Sequence, residues 1–437
     1  MSDAAAGATP TVEHTVVGDP APARWKRNVA VFLGGQTVSL FGSMLVQYAI
    51  MWHLTLLTQS GLVLALAAIF GFLPQAIVSI FGGVWADRMN RKFLIVVADS
   101  AIAVSTLALA IFLLAGYDGL WLIYLTLAIR SAGAGIQMPA VSALIPQITP
   151  TEHLMRVNGI NGSIQSAMML ITPAVAALVY ANLSIIGIFF IDVVTAVIGI
   201  GLLLLVPVAT IRRASDEHVP YFTDLVEGVR YIASHTFIRW LLVLFAIVFV
   251  LAAAPSSLTP LMVARSFGDD VWMLAVVELA FSIGMLIAGV LIAIWAGAKN
   301  RVAMIVVTSL LFAVVTLALG LSTNFWVFSA FMFVFGLAVP YFSTPSMTLI
   351  QEKVEPEKQG RVFGFVGIVM AVAMPLGMSV LGPLADVFSV ESLLVAAGLI
   401  MLVVVVIAIT VPAGRRAMAA GSAAAAAPEP VAQASAD

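Results

Sequence analysis

The stretch Gly82-Gly83-Val84-Trp85-Ala86-Asp87-Arg88-Met89-Asn90-Arg91-Lys92 separates two apolar runs, residues 62–85 and 93–115. Each run can cross a bilayer, which takes about 20 apolar residues for about 30 Å of hydrocarbon. The insert between them is short and carries Arg88, Arg91 and Lys92 beside one carboxylate, Asp87. It reads as a tight turn at a membrane surface. Gly83 has no side chain and permits a close approach of two helices. Asp87 ends the first run, where a carboxylate can accept charge-assisted hydrogen bonds from an arginine or a helix N-terminus. Such a contact can hold two bundles together in one state and break in another. A turn needed only for its positive charge would explain the three cations, but not Gly83 and Asp87.

Ten further runs have the same character: 28–56, 120–143, 157–182, 185–206, 237–263, 271–295, 302–321, 325–350, 362–386 and 392–411. Membrane β-strands are about ten residues of alternating pattern, and these runs are twice that without alternation. Composition agrees. Of 437 residues, 62% are hydrophobic and 10% charged, with a mean hydropathy of +1.10. Soluble domains carry about 25% charged residues. An ordinary cytosolic enzyme, a nucleic-acid binder and a disordered chain are excluded. With no cysteine, disulfides, thiolate zinc sites and iron–sulfur clusters are excluded as well. No metal or other cofactor is expected. The first 22 residues lack the apolar core of a signal peptide, so the first span itself is expected to direct insertion.

Cations set the orientation, because cytoplasmic loops are enriched in Lys and Arg. With the N-terminus inside, 18 of the 20 basic residues fall on the cytoplasmic side. Arg265 falls outside and Arg130 falls within a span. One missed span would invert every later loop and scramble this split. Both termini are therefore expected in the cytoplasm.

The longest internal loop follows the sixth span. Around it the chain repeats itself. Pro139-Ala-Val-Ser-Ala-Leu-Ile-Pro-Gln-Ile-Thr-Pro150 and Pro345-Ser-Met-Thr-Leu-Ile-Gln-Glu-Lys-Val-Glu-Pro356 keep the same outer proline spacing, and Arg156-Val-Asn-Gly159 matches Arg361-Val-Phe-Gly364. Each segment links the fourth and fifth spans of its half. The expected organisation is a tail (1–27), a six-helix bundle (28–207), a linker loop (208–236), a second bundle (237–412) and an unstructured tail (413–437). The fold class is an all-α membrane protein of 12 transmembrane helices, in two six-helix bundles around a central cavity. Transporters commonly have such repeats, with a site near the midplane.

Gly83-x-x-x-Asp87-Arg88-x-x-Arg91-Lys92 resembles the signature loop of the major facilitator superfamily, and the six-plus-six layout resembles it too. Gly71-Phe-Leu-Pro74, Ile129-Arg-Ser131, Pro173-Ala-Val-Ala-Ala177, Ile191-Asp192, Gly284-Met-Leu-Ile287 and Gln351-Glu352 with Gly360-Arg-Val-Phe363 are similar to the macrolide-efflux branch of bacterial drug exporters, which also holds siderophore exporters. The resemblance implies that Asp87 and Arg88 take part in conformational switching, with Gly83, Arg91 and Lys92 completing the loop. It also implies a monomer in the bacterial inner membrane.

Ionisable residues at bilayer depth are costly and usually face protein or a wet cavity. Arg130 lies midway along the fourth span, with Gln137 on the same face. Arg130-x-x-Gly133-x-Gly135 resembles the span-four motif of proton-coupled members, in which the Arg is associated with proton transfer. Arginine does not itself deprotonate, so its expected work is to bias a carboxylate or bind an anion. A purely structural ion pair is the alternative. The carboxylates within spans are Asp99, Asp192 and Glu278, each near enough to an end that it could reach water. Burial favours a protonated carboxyl and a nearby cation an ionised one, so alternating surroundings can load and release a proton.

Gln36, Ser39, Ser43 and Gln47 share one face of the first span. Asn158, Asn161, Gln165 and Thr172 share one face of the fifth. Such faces should point to a cavity or to other helices. Phe331, Phe335, Tyr341 and Phe342 on the tenth span, with Met370, Met374 and Met378 on the eleventh, offer soft adaptable surface. Core packing would place the same residues equally well. His53 sits at an outer span end, where a histidine is usually incidental.

These features suit a proton-driven exporter of small amphipathic molecules, with the lipid bilayer and protons as its other partners. An uptake or facilitated-diffusion carrier uses the same fold, and a siderophore could be the cargo. A membrane receptor or enzyme has no motif in its favour. No Gly-x-x-x-x-Gly-Lys-Ser/Thr loop is present, so the chain is no ATP-driven pump on its own. Thr172-Pro173-Ala174 departs from the Gly-Pro-x-x-x-Gly pattern of the fifth span in drug antiporters, which counts against antiport.

Overall fold

The computed structural model describes residues 24–208, 229–295 and 300–426. Among the described residues, twelve helices are long and apolar enough to span a membrane. They are α1 Trp25–Thr58, α2 Gly61–Arg88, α3 Arg91–Leu114, α4 Leu120–Ile148, α5 Leu154–Asn182 and α6 Ile185–Leu204. After the linker come α7 Thr236–Ser266, α8 Val271–Trp295, α9 Arg301–Leu321, α10 Phe325–Lys353, α11 Pro356–Ala385 and α12 Val390–Thr410. Helix α7 is broken at Leu258, between Thr236–Ser257 and Thr259–Ser266. Small polar residues set several starts by capping free backbone N–H groups. Ser60 caps α2, Asn90 α3, Ser184 α6, Asn300 α9, Asn324 α10 and Ser389 α12.

Within the first half, α1 packs on α5 and α6, α2 on α4, and α3 on α4 and α6. The second half repeats this: α7 on α11 and α12, α8 on α10, and α9 on α10 and α12. The halves meet chiefly where α2 packs on α11 and α5 on α8. The C-terminal segment expected to be unstructured is helical over α13, Pro412–Ala426. It packs against α7, α9 and α12. Its alanine run is weak as an isolated helix, and these contacts supply what the sequence alone lacks. The linker expected as a loop is helical at 229–234. Residues 1–23, 209–228 and 427–437 of the expected tails and linker lie outside the described residues.

The two ends of the α2–α11 contact differ. Near the start of α2, a side chain on Gly61 would strike the Gly382 backbone of α11, and one on Gly382 would strike Gly61. Near the opposite end, Gly83, Gly159, Gly162, Gly364 and Gly367 each face open space. Met155, at the start of α5, is 88% exposed. The bundles are thus closed at one end and parted at the end where α1 begins.

Candidate functional site

Two cavities lie in the two bundles. The first, about 290 Å³, is lined by Gln36 and Met44 of α1, Gln137 of α4, and Asn161, Gln165 and Met169 of α5, among others. The second, about 240 Å³, is walled by Phe249 of α7, Phe281 of α8, Phe335 and Phe342 of α10, and Met370 and Met374 of α11. Its rings pack on one another: Phe335 lies 5.0 Å from Phe312 and 6.0 Å from Phe281 between ring centres. Such contacts hold aromatic side chains in fixed positions. The cavities flank the α5–α8 contact, where the Ser282 hydroxyl donates to the Met169 carbonyl at 3.4 Å. One wall therefore carries four amides, and the other is apolar apart from Ser256, with five phenylalanines and two methionines. A larger cavity of about 580 Å³, between the starts of α7 and α9, the end of α10 and α13, lies within the second half.

Not every expected lining residue is there. Ser43 donates to Asp192 at 3.4 Å instead. Gln47 and Tyr341 line neither of the two cavities. Met378 is fully buried in the core, as is Thr172. A four-residue step turns a helical position by about 40°, so long stripes drift off a narrow cavity wall.

Next to the amide-lined cavity lies a set of charges. The Arg130 guanidinium pairs with the Asp192 carboxylate of α6. It also donates to Thr106 of α3 at 2.5 Å and to the Ser43 carbonyl of α1 at 3.1 Å. Arg130 is 7% exposed and Asp192 1%, so Asp192 does not reach water from its span end. Asp99 of α3, 2% exposed, is equally enclosed. One Asp99 oxygen accepts a 2.5 Å hydrogen bond from Gln137. The other has no hydrogen-bond partner among the described residues. A buried polar atom left in that way is costly, which at bilayer depth makes Asp99 a candidate functional residue. Glu278 of α8, half-buried, accepts a 3.1 Å hydrogen bond from Tyr48 of α1. This bond joins the two halves.

In the loop between α2 and α3, the cations have defined work. Arg91 donates to the Ala86 carbonyl at 2.9 Å and to the Ala143 carbonyl of α4 at 2.7 Å. Lys92 donates at 2.8 Å to the carbonyls of Leu204 and Val206, at the end of α6. These are free carbonyls of a helix C-terminus, where a cation is favourable. Arg88 is exposed in the last turn of α2. The expected close approach is made by Gly82, which faces the Gly135 carbonyl of α4, and not by Gly83, which faces open space. The side chain of Asp87 lies outside the described residues.

At the closed end the structure adds residues that sequence reasoning passed over. Asp386 ends α11, and its carboxylate accepts from the backbone N–H of Gly61 at 2.6 Å, that of Leu62 at 2.9 Å, and the Ser60 hydroxyl at 2.9 Å. Arg265, near the end of α7, donates to Asp386 at 3.2 Å and to the Ala385 carbonyl at 2.6 Å. It also donates to the Gln59 carbonyl through Nε at 3.1 Å and through Nη2. Gln59 has φ 45°, a left-handed conformation costing about 1 kcal/mol outside glycine. The two bonds from Arg265 to its carbonyl offset that cost. Arg265 standing alone outside the membrane was the one available signal.

Two six-helix bundles closed at one end, with charges buried beside a central space, define a multi-pass membrane transporter and not an enzyme. The sequence profile described as Major Facilitator Superfamily matches residues 27–299 and 272–435. The chain belongs to that superfamily. It is 30% identical over 381 residues to macrolide efflux protein A of Streptococcus pyogenes, covering 86% of this chain and 94% of that one. It is also 30% identical over 322 residues to the Enterococcus faecalis protein of the same name, covering 73% and 99%. The crystal structure of the nucleoside transporter NupG superposes with a TM-score of 0.65 at 13% identity, covering 89% of this chain and 100% of that one, which agrees in fold.

Proposed function

We propose that this chain exports small amphipathic molecules of the macrolide kind across a bacterial inner membrane, by alternating access coupled to proton entry. The observation that carries this reading is the double contact of Gln137, which lines the amide-rich cavity and binds the enclosed Asp99. A cargo that engages Gln137 competes for the amide that Asp99 uses. Asp99 then exchanges its proton as cargo enters or leaves. Asp192 stays paired with Arg130, which holds α4 to α6 and α1. Glu278 has a second share in coupling through Tyr48, because that bond must break when the halves separate.

The two unlike walls support an amphipathic cargo. Its polar groups face the amides of α1, α4 and α5, and its apolar body faces the phenylalanines and methionines of the second half. The macrolide efflux proteins similar to this chain support efflux as the direction. With both termini in the cytoplasm, the parted end faces the cytoplasm, and the conformation is the one that loads cargo. The chain works as a monomer. The test is accumulation of a labelled macrolide in drug-sensitive bacteria expressing the chain, with and without a protonophore. Lower accumulation that the protonophore restores supports the reading. Unchanged accumulation overturns macrolide export.

A further inference from the structure

Helices α2 and α11 run antiparallel across the boundary between the halves. Each ends in the same pattern: Gly83-x-x-x-Asp87 closes α2 and Gly382-x-x-x-Asp386 closes α11. Each terminal aspartate therefore belongs to the membrane face at which the other helix begins. At the closed end the pattern is engaged. Gly382 lets the α11 backbone meet that of Gly61, and Asp386 takes the first free N–H groups of α2. Four N–H groups at a helix start have no partner within the helix, and a carboxylate there is favoured by the helix dipole as well. At the parted end the N-cap residue of α11, Glu355, makes no side-chain cap hydrogen bond and Pro356 follows it, while Gly83 faces open space.

We propose that Asp386 is the positioning residue of an outer latch, which holds the transporter closed to the outside by capping the start of α2 from the end of α11. Arg265 completes the latch by tying α7 to Gln59 at the end of α1, to the Ala385 carbonyl and to Asp386 itself. Three of its five parts cross between the halves: Asp386 to Gly61 and Leu62, Asp386 to Ser60, and Arg265 to Gln59. All of these must part for the outer end to open. The Gly61–Gly382 crossing sets the distance at which the carboxylate reaches both N–H groups. This inference rests on the alternating-access reading, in which Asp87 serves the opposite state.

The experiment uses the full-length chain in lipid nanodiscs without cargo. The absence of native cysteine lets spin labels be placed in pairs. Tyr117→Cys with Trp326→Cys reports the outer end, and Met155→Cys with Lys353→Cys reports the inner end. Pulsed electron–electron distances are recorded for Asp386→Asn and Arg265→Gln. Losing charge-assisted hydrogen bonds at a partly exposed site is expected to raise the ratio of outer-open to outer-closed forms by about tenfold. The inner pair should shorten in the same samples, which a merely loosened fold would not produce. Asp87→Asn should move both pairs the other way. Unchanged outer distances in both Asp386→Asn and Arg265→Gln overturn the latch. Asp386→Asn acting while Asp87→Asn does not leaves the latch standing and removes the switching role of Asp87. No cargo is present, so a failure of macrolide export leaves these outcomes readable.

Discussion

Gln137 on α4 and Asp99 on α3 share a 2.5 Å hydrogen bond, and the same Gln137 lines the cavity. The proposed function thereby puts cargo binding and proton exchange one side chain apart. The remaining Asp99 oxygen has no partner among the described residues, so the amide is the contact that cargo can disturb.

Asp99→Asn should therefore separate the two events. An amide keeps the shape and the bond to Gln137 but carries no titrating proton. Macrolide binding to the purified protein is expected to persist within about threefold, since at most one hydrogen bond changes partner. Proton uptake or release on cargo addition should fall to background. Retained proton exchange in Asp99→Asn, measured with a pH dye in weakly buffered detergent solution, would assign the coupling to Glu278.

The Arg130–Asp192 pair gives a stability prediction. Removing one member of a buried pair leaves an uncompensated charge, at a cost of about 3–5 kcal/mol. Asp192→Asn should lower the thermal unfolding temperature in detergent clearly. Arg130→Leu combined with Asp192→Leu should recover most of that loss, because the desolvation cost of both charges disappears. If the double variant is no more stable than Asp192→Asn, the pair holds the helices by a specific geometry that apolar packing does not replace.

The two walls should be separable by cargo chemistry. Gln165→Ala removes a polar group from the amide wall and should weaken a hydroxyl-rich macrolide by about 1 kcal/mol, roughly fivefold. A cationic dye without hydroxyl groups should be unaffected. Met374→Ala removes thioether surface from the opposite wall and should weaken both cargoes to a similar extent. Affinities from fluorescence titration decide it: equal losses for the two cargoes in Gln165→Ala would contradict the assigned orientation.

Run lengths were enough to read the twelve spans, because the bilayer demands length and apolarity from each helix separately. Arg130 and Gln137 were visible for the same reason: polarity at depth stands out. What sequence did not reveal depends on contacts between helices far apart in the chain. Asp386 looked like the end of a span, and nothing local ties it to Gly61. Gly82 and Gly83 are adjacent and chemically alike, and only the packing of α4 distinguishes them. The aromatic stripe of α10 was readable as a stripe, but Phe335 and Tyr341 differ in which side of the helix the cavity occupies.

The latch also has a defined response to acid. Burial acts to raise the pKa of Asp386, but hydrogen bonds from the backbone N–H groups of Leu62 and Gly61, the Ser60 hydroxyl and Arg265 outweigh it and hold the carboxyl below its ordinary 3.8. A group whose pKa is lowered in the closed form stabilises that form above its ordinary pKa, and the stabilisation is lost as pH falls through the lowered value. The other charged groups at this end are Arg265, Glu391 of α12, which accepts from the Ser266 hydroxyl, and Asp118, Asp269 and Asp270 of the outer loops. The outer spin-label distance should therefore stay constant from about pH 8 to about pH 5 and lengthen only below about pH 4. In Asp386→Asn the outer end is already released, so acid should add little. An acid-induced lengthening of equal size in Asp386→Asn would place the titrating group among the other carboxylates of this end instead.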